Sequence, residues 1–178
     1  MKDGFYLTYA DFRRNRAIEK EAVVTEMDRD QLEFMGKLMN QEKIVYRRDG
    51  AVQSVDPRII WGFFQNKTLY VNYKEEFYRV PVFGSICYLV ASVTVYSGGF
   101  YDPTFGYVVT PGRGKEIREF IMNYYDGEIT ELKSGRVEEL LSRDAALYAE
   151  YKALSRRQQR EQLYRYIRRF NESHPVYF

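Results

Sequence analysis

The pattern of apolar and polar positions is densest between Ile59 and Tyr96, IIWGFFQNKTLYVNYKEEFYRVPVFGSICYLVASVTVY, where aromatic and β-branched residues dominate. Asn66-Lys67, Lys74-Glu75 and Gly84-Ser85 divide this stretch into runs of strand length, as an antiparallel meander requires. In its last run Cys87, Leu89, Ala91, Val93 and Val95 alternate with Ile86, Tyr88, Val90, Ser92, Thr94 and Tyr96, and the second set turns polar towards its end. That period of two predicts a strand with one fully buried face. Leu69, Val71 and Tyr73 are expected to share a face, as are Trp61 and Phe63, while Phe77 faces away from Tyr78, Val80 and Val82. No charged residue occurs between Arg79 and Asp102, so a membrane span is the competing reading. Pro81, Gly84, Gly98, Gly99 and the β-branched content favour a pleated sheet instead.

Around this centre, Phe5 to Tyr9 and Glu21 to Glu26 read as short strands. Asp28 to Asn40 has helical spacing, with Leu32, Met35, Leu38 and Met39 on one stripe, although Gly36 weakens it. Lys43 to Arg47 and Ala51 to Val55 flank Asp49-Gly50, a strong hairpin signal. A glycine- and aromatic-rich loop follows Tyr96, then a strand over Tyr107 to Thr110, and Pro111 to Lys115 reads as a flexible link. A second hairpin turns at Asp126-Gly127, between Glu119 to Tyr125 and Glu128 to Leu132. Helices are predicted over Val137 to Ser142, Asp144 to Leu154 and Ser155 to Glu172, with Asp144 and Ser155 as caps. In the last of these Gln159, Leu163, Tyr166, Ile167 and Phe170 form one stripe. The fold expected is α+β: a twisted antiparallel sheet of meander or roll type, six to nine strands, with C-terminal helices packed on it. A single domain spans 1–178, its β-rich body over about 1–133 and its helical segment over about 134–174.

Composition narrows the chemistry. One cysteine, Cys87, forbids an internal disulfide, and its place on the apolar parity makes it a buried, unreactive thiol. One histidine, His174, stands next to the chain end, where it is expected to be solvated and poorly placed for a Ser-His or Cys-His mechanism. Zinc sites of the usual Cys and His spacing are impossible with one of each, and GRGK at 112–115 lacks the spacing of a phosphate-binding loop. No cofactor or metal is therefore expected. The acids Glu75, Glu76, Asp102 and Asp126 leave a carboxylate hydrolase as a third-ranked alternative, their simpler reading being turn chemistry.

Two surface features point to binding. Aromatic residues reach 17%, and the loop Gly98 to Phe105 sets Phe100, Tyr101 and Phe105 beside Asp102, flat rings with a polar group of the kind a protein or glycan partner engages. Residues 155–172 carry six arginines against two glutamates, although the whole chain is only +2. Arg165, Arg168 and Arg169 are the residues that would hold nucleic acid or an anionic surface, the alternative function. Their simpler role is the solvated side of an amphipathic helix.

The run YYDGEITELKSGRVEELLSRDAALYAEYKAL and the later LYRYIRRFNESHP resemble the tail of a family of uncharacterised exported proteins of Bacteroidetes. The matching residues are Asp126-Gly127-Glu128, Leu140-Leu141, Asp144, Leu147-Tyr148-Ala149-Glu150, Phe170-Asn171 and His174-Pro175. The opening GFYLTYADF and the central WGFFQNKTLYVNY are similar to the same group, and Phe170 stands where tyrosine is usual. The resemblance implies a β-rich body with a helical tail, a periplasmic or surface address after loss of a leader peptide, and a non-catalytic role. It brings no catalytic residue. A cytoplasmic address is the alternative, since MKDGFYLTY contains no signal sequence.

Overall fold

The computed structural model describes residues 3–97, 100–102, 104, 107–109 and 112–177. Three strands of the central stretch join two from the start of the chain in one five-stranded antiparallel sheet. These are β1 (Gly4–Tyr6), β2 (Ile18–Glu19), β5 (Gly62–Gln65), β6 (Thr68–Tyr73) and β7 (Glu76–Arg79), side by side in the order β2-β1-β5-β6-β7. Positive φ at Asn66-Lys67 and Lys74-Glu75 gives the primed turns that join β5 to β6 and β6 to β7. The long run predicted around Leu89 is β8 (Ile86–Ser97). It pairs with β11 (Gly112–Asn123) through twelve consecutive rungs, from Ile86 opposite Asn123 to Ser97 opposite Gly112. On the far side of β11 lies β12 (Ile129–Glu131).

Three apolar cores alternate with these sheets. One face of the first sheet, through Tyr6, Phe64, Leu69 and Val71, meets Cys87, Leu89, Ala91, Phe120 and Met122 of the second. The other face of the first sheet is covered by α2 (Phe34–Leu38) and the hairpin of β3 (Ile44–Arg48) and β4 (Ala51–Val55), through Phe5, Phe34, Leu38, Ile44 and Phe63. The other face of the second sheet presents Ile86 and Ile121 to α3 (Ser134–Leu141), α4 (Ala145–Ala153) and α5 (Arg156–Ser173). Neighbouring residues of one strand therefore enter different cores, as Phe5 and Tyr6 or Phe63 and Phe64 do, which is the period of two expressed in packing. Antiparallel content with C-terminal helices packed on a sheet is the α+β architecture expected. No helix among the described residues is long and apolar enough to cross a membrane.

Several local expectations are corrected. Among the described residues the strands are divided between sheets of five and three and two separate pairs, because bulky side chains on both faces of β5 and β8 each need a covering layer. Phe5 to Tyr9 is extended only to Tyr6. Thr8 then accepts from the backbone of Asp11 at 3.0 Å and starts the short helix α1 (Tyr9–Arg13), so local capping overrides β propensity. Glu21 to Glu26 makes only an isolated bridge from Val23 to Tyr46, after a 3₁₀ turn over Lys20–Ala22. The predicted helix from Asp28 shortens to α2, because Asp28 accepts from the backbone of Asp30 in a turn and Leu32 is left exposed. Trp61 precedes β5 and packs with Phe12 in the inter-sheet core, so it does not share the face of Phe63. Gly112 to Lys115 is ordered strand rather than link, since pairing with Thr94 to Ser97 outweighs the low β propensity of glycine.

The C-terminal helices follow the sequence closely. Ser155 and Gln158 form a reciprocal capping box at the start of α5, and Asp144 caps α4 by accepting from Leu147 at 3.0 Å. The predicted stripe of Gln159, Leu163, Tyr166, Ile167 and Phe170 is the buried face of α5. Gln159 satisfies its buried amide by donating to the carbonyl of Tyr151 at 3.1 Å.

One contact fixes α5 against the second sheet. Asn171 accepts from the backbone amide of Ile86 at 2.8 Å and donates to its carbonyl at 2.8 Å, taking the place of a neighbouring strand. Farther along the same edge of β8, Val82 accepts from the amide of Tyr88 at 2.9 Å and the Tyr78 hydroxyl donates to the carbonyl of Ser92 at 3.0 Å. A side-chain amide, a backbone bridge and a phenol thus cover residues 86, 88 and 92 of an edge that would otherwise be an open template for aggregation.

Candidate functional site

The second sheet extends beyond the C-terminal helices as a two-stranded ribbon, whose other face still enters the inter-sheet core through Val93 and Val95. From Ser92 and Ile117 outward, β8 and β11 continue to Ser97 and Gly112, and the short pair β9 (Phe100–Asp102) and β10 (Tyr107–Val109) lies beyond them in sequence. On the face that carries α3–α5 nearer the body, Val90, Ser92, Thr94 and Tyr96 alternate down β8, with Glu119, Ile117, Lys115 and Arg113 opposite them. The helices reach only the first part of that face, where the Tyr88 ring meets Tyr164 edge-on at 5.5 Å. Beyond it Ile117 is 80% and Tyr96 75% exposed. The edge of β8 is braced from β7, since Tyr78 bonds to Ser92 and the Glu76 carboxylate pairs with Lys115 at 3.6 Å.

Of the residues predicted to bind a partner, Phe100, Tyr101 and Asp102 form β9, opposite Val109, Val108 and Tyr107 of β10. The predicted aromatic loop therefore contains a strand, because the glycines that favour a loop end where cross-strand pairing begins. Phe105 lies outside the described residues.

The three arginines proposed for polyanions occupy the outward side of α5, in unequal situations. Arg169 is engaged: its guanidinium donates to Glu150 at 2.6 Å and lies 5.3 Å from the centre of the Tyr166 ring. This pair holds the Glu150 carboxyl below its ordinary range. Arg165 and Arg168 are exposed, and Arg168 borders a cleft of about 490 Å³ with Phe83, Tyr164 and Glu172.

Groups suited to catalysis are turned to structure. Ser85 donates to the backbone carbonyl of His174 at 2.5 Å, and the imidazole stacks on Phe170 at 4.3 Å with Nδ1 3.2 Å from the Phe170 carbonyl. His174 is thus half-buried at the end of α5, correcting the expectation of a solvated terminal residue; α5 runs to Ser173 and its own Phe170 ring lies under the imidazole. The Cys87 thiol is buried, donates to the Gly84 carbonyl at 3.3 Å and is pushed up to about 12 by desolvation, so it is not a nucleophile near neutral pH. Glu76 accepts from the Tyr78 hydroxyl at 2.6 Å, which with Lys115 holds its carboxyl below the usual range. Asp126 accepts from the Glu128 amide at 2.8 Å and from the Asn123 side chain, turn chemistry as expected of it. Among the described residues no group of three or more His, Cys, Asp or Glu could hold a metal ion.

Sequence reasoning missed Asn171 and the exposure of Tyr96 and Ile117. Residues of strand parity look alike whether a helix lies over them or not. Comparison with protein-family models, with curated proteins and with solved structures finds no match to this chain.

Proposed function

We propose that this chain is a non-catalytic cell-envelope protein that binds a protein or glycan partner through the β8–β11 ribbon and the aromatic segment beyond it. The observation that carries this reading is the exposure of Ile117 and Tyr96 on one face of a twelve-rung ladder. Apolar side chains held in water on a braced backbone add nothing to the three cores, and the ordering entropy of that backbone is already met before any partner arrives. Engagement of Ser85, Cys87 and His174 in packing and capping supports the non-catalytic half of the proposal. The envelope address rests on the resemblance of the tail and central strands to exported proteins.

The test compares the parent protein with a Tyr96→Ala/Ile117→Ser variant and a Phe100→Ala/Tyr101→Ala variant on glycan and peptide arrays. Parent hits should be lost in both variants, and the melting temperature of the first should be unchanged, since its two side chains lie outside every core. Hits that survive both variants, or arrays blank for the parent, would sink the ribbon reading. Fractionation of cells making the natural full-length protein tests the address separately, and recovery in the cytosol would remove it.

A further inference from the structure

Gly36 lies inside α2, where glycine costs about 1 kcal/mol relative to alanine. Nothing in the fold requires it. Its φ is not positive, and a Cβ added there would meet no atom within 4 Å. What adjoins it is a cleft of about 390 Å³ between α2 and the face of β5–β7 turned away from β8. A side chain at this position would project into open space at the cleft.

The floor is aromatic. Phe63 stacks on its cross-strand partner Tyr70 with centroids 4.6 Å apart and planes 6° from parallel, and Phe77 stands edge-on to Phe63 at 5.3 Å. Tyr70 and Phe77 are only partly buried. The rim is polar, formed by Asn40 after α2, Arg58, and Glu75 in the β6–β7 turn. Asn72 holds two parts of this rim in place: it donates to the carbonyls of Arg58 and Ile60 at 2.8 and 2.9 Å and accepts from the Glu75 amide at 3.0 Å. Arg58 is neutralised by Asp56 at 2.6 Å, and Glu76 is occupied by Tyr78 and Lys115.

This combination selects among ligand chemistries. Charges of both signs stand on the rim, Arg58 paired with Asp56 and within the field of Glu75, so neither a compact cation nor an anion meets a rim of one sign. A neutral ring with an apolar face and hydroxyl groups at its edge matches both the partly exposed rings of Tyr70 and Phe77 and a rim that offers donors and acceptors together. The volume lies in the range of small-molecule sites. We propose that this cleft binds a single neutral pyranose ring. The proposal does not rest on the ribbon reading, because the cleft and the ribbon share no residue.

Saturation-transfer NMR tests it, using the intact chain with the methyl glycosides of glucose, galactose, mannose and N-acetylglucosamine, and tetramethylammonium as a cation control. At least one glycoside should show transfer to its ring protons. Gly36→Leu, which projects into the cleft and blocks it, should abolish that signal while leaving the melting temperature equal or higher, and Asn40→Ala should weaken affinity about tenfold, the equivalent of one well-made polar contact. The Tyr96→Ala/Ile117→Ser variant should bind as the parent does. No transfer to any glycoside, transfer unchanged in Gly36→Leu, or a Gly36-dependent signal from tetramethylammonium alone would overturn the assignment.

Discussion

Asn171→Leu should destabilise the fold by about 2–5 kcal/mol, because it leaves the amide and carbonyl of the buried Ile86 without partners, and each such loss costs roughly 1–3 kcal/mol. The measurement is urea unfolding followed by circular dichroism. Gly84→Ala should reproduce most of this loss without touching the asparagine: a Cβ at residue 84 would lie 2.4 Å from Asn171 Cγ and 2.6 Å from Nδ2, forcing the amide off Ile86. The two changes remove one interaction, so the double variant should be little worse than either single one. Fully additive losses, or a Gly84→Ala protein as stable as the parent, would show that the two-point contact does not secure α5.

Leu89→Ala should cost about 3–5 kcal/mol, the range for a leucine removed from a core that cannot collapse around the gap. Leu89 is 0% exposed between the two sheets, with Cys87 and Ala91 on its own strand and Phe120 opposite it on β11. Backbone pairing through twelve rungs holds the sheet in register, so neighbouring strands cannot close the cavity by shifting. Its neighbour Val90, of opposite parity and partly exposed, should tolerate alanine within about 0.5 kcal/mol. Against a typical total of about 5–15 kcal/mol, the first change takes a large share of the stability and the second almost none. Equal effects at the two positions would contradict the parity that the whole sheet depends on.

Particular residues show how far the chain could be read without coordinates. Cys87 to Val93 declared a buried face, Asp49-Gly50 and Asp126-Gly127 declared hairpins, and Gln159 to Phe170 declared the inward stripe of α5; all three signals arise from local periodicity or local φ preference. Failures came where a local preference competed with a distant partner. Gly112 to Lys115 looks flexible in isolation and is strand because Thr94 to Ser97 lie beside it. Tyr9 looks like strand and is helix because Thr8 can cap. His174 looks solvated and is stacked because Phe170 lies one helical turn before it, while its carbonyl is held by Ser85.

The candidate sites divide in the same way. Aromatic richness around residue 100 and the arginines of the last helix are visible in composition, yet only the fold shows Arg169 held by Glu150 while Arg165 and Arg168 stand exposed. The cleft beside Gly36 draws on residues from 36 to 77, and no spacing rule links them. By itself the sequence determined which faces had to be buried, where the chain turned and that the class was α+β, since side-chain alternation, helical periodicity and turn stereochemistry act over a few residues. Tertiary structure decided that two sheets would separate three cores, that Asn171 would stand in for a strand and that Tyr96 and Ile117 would remain in water, because these depend on how far a covering layer reaches across a sheet.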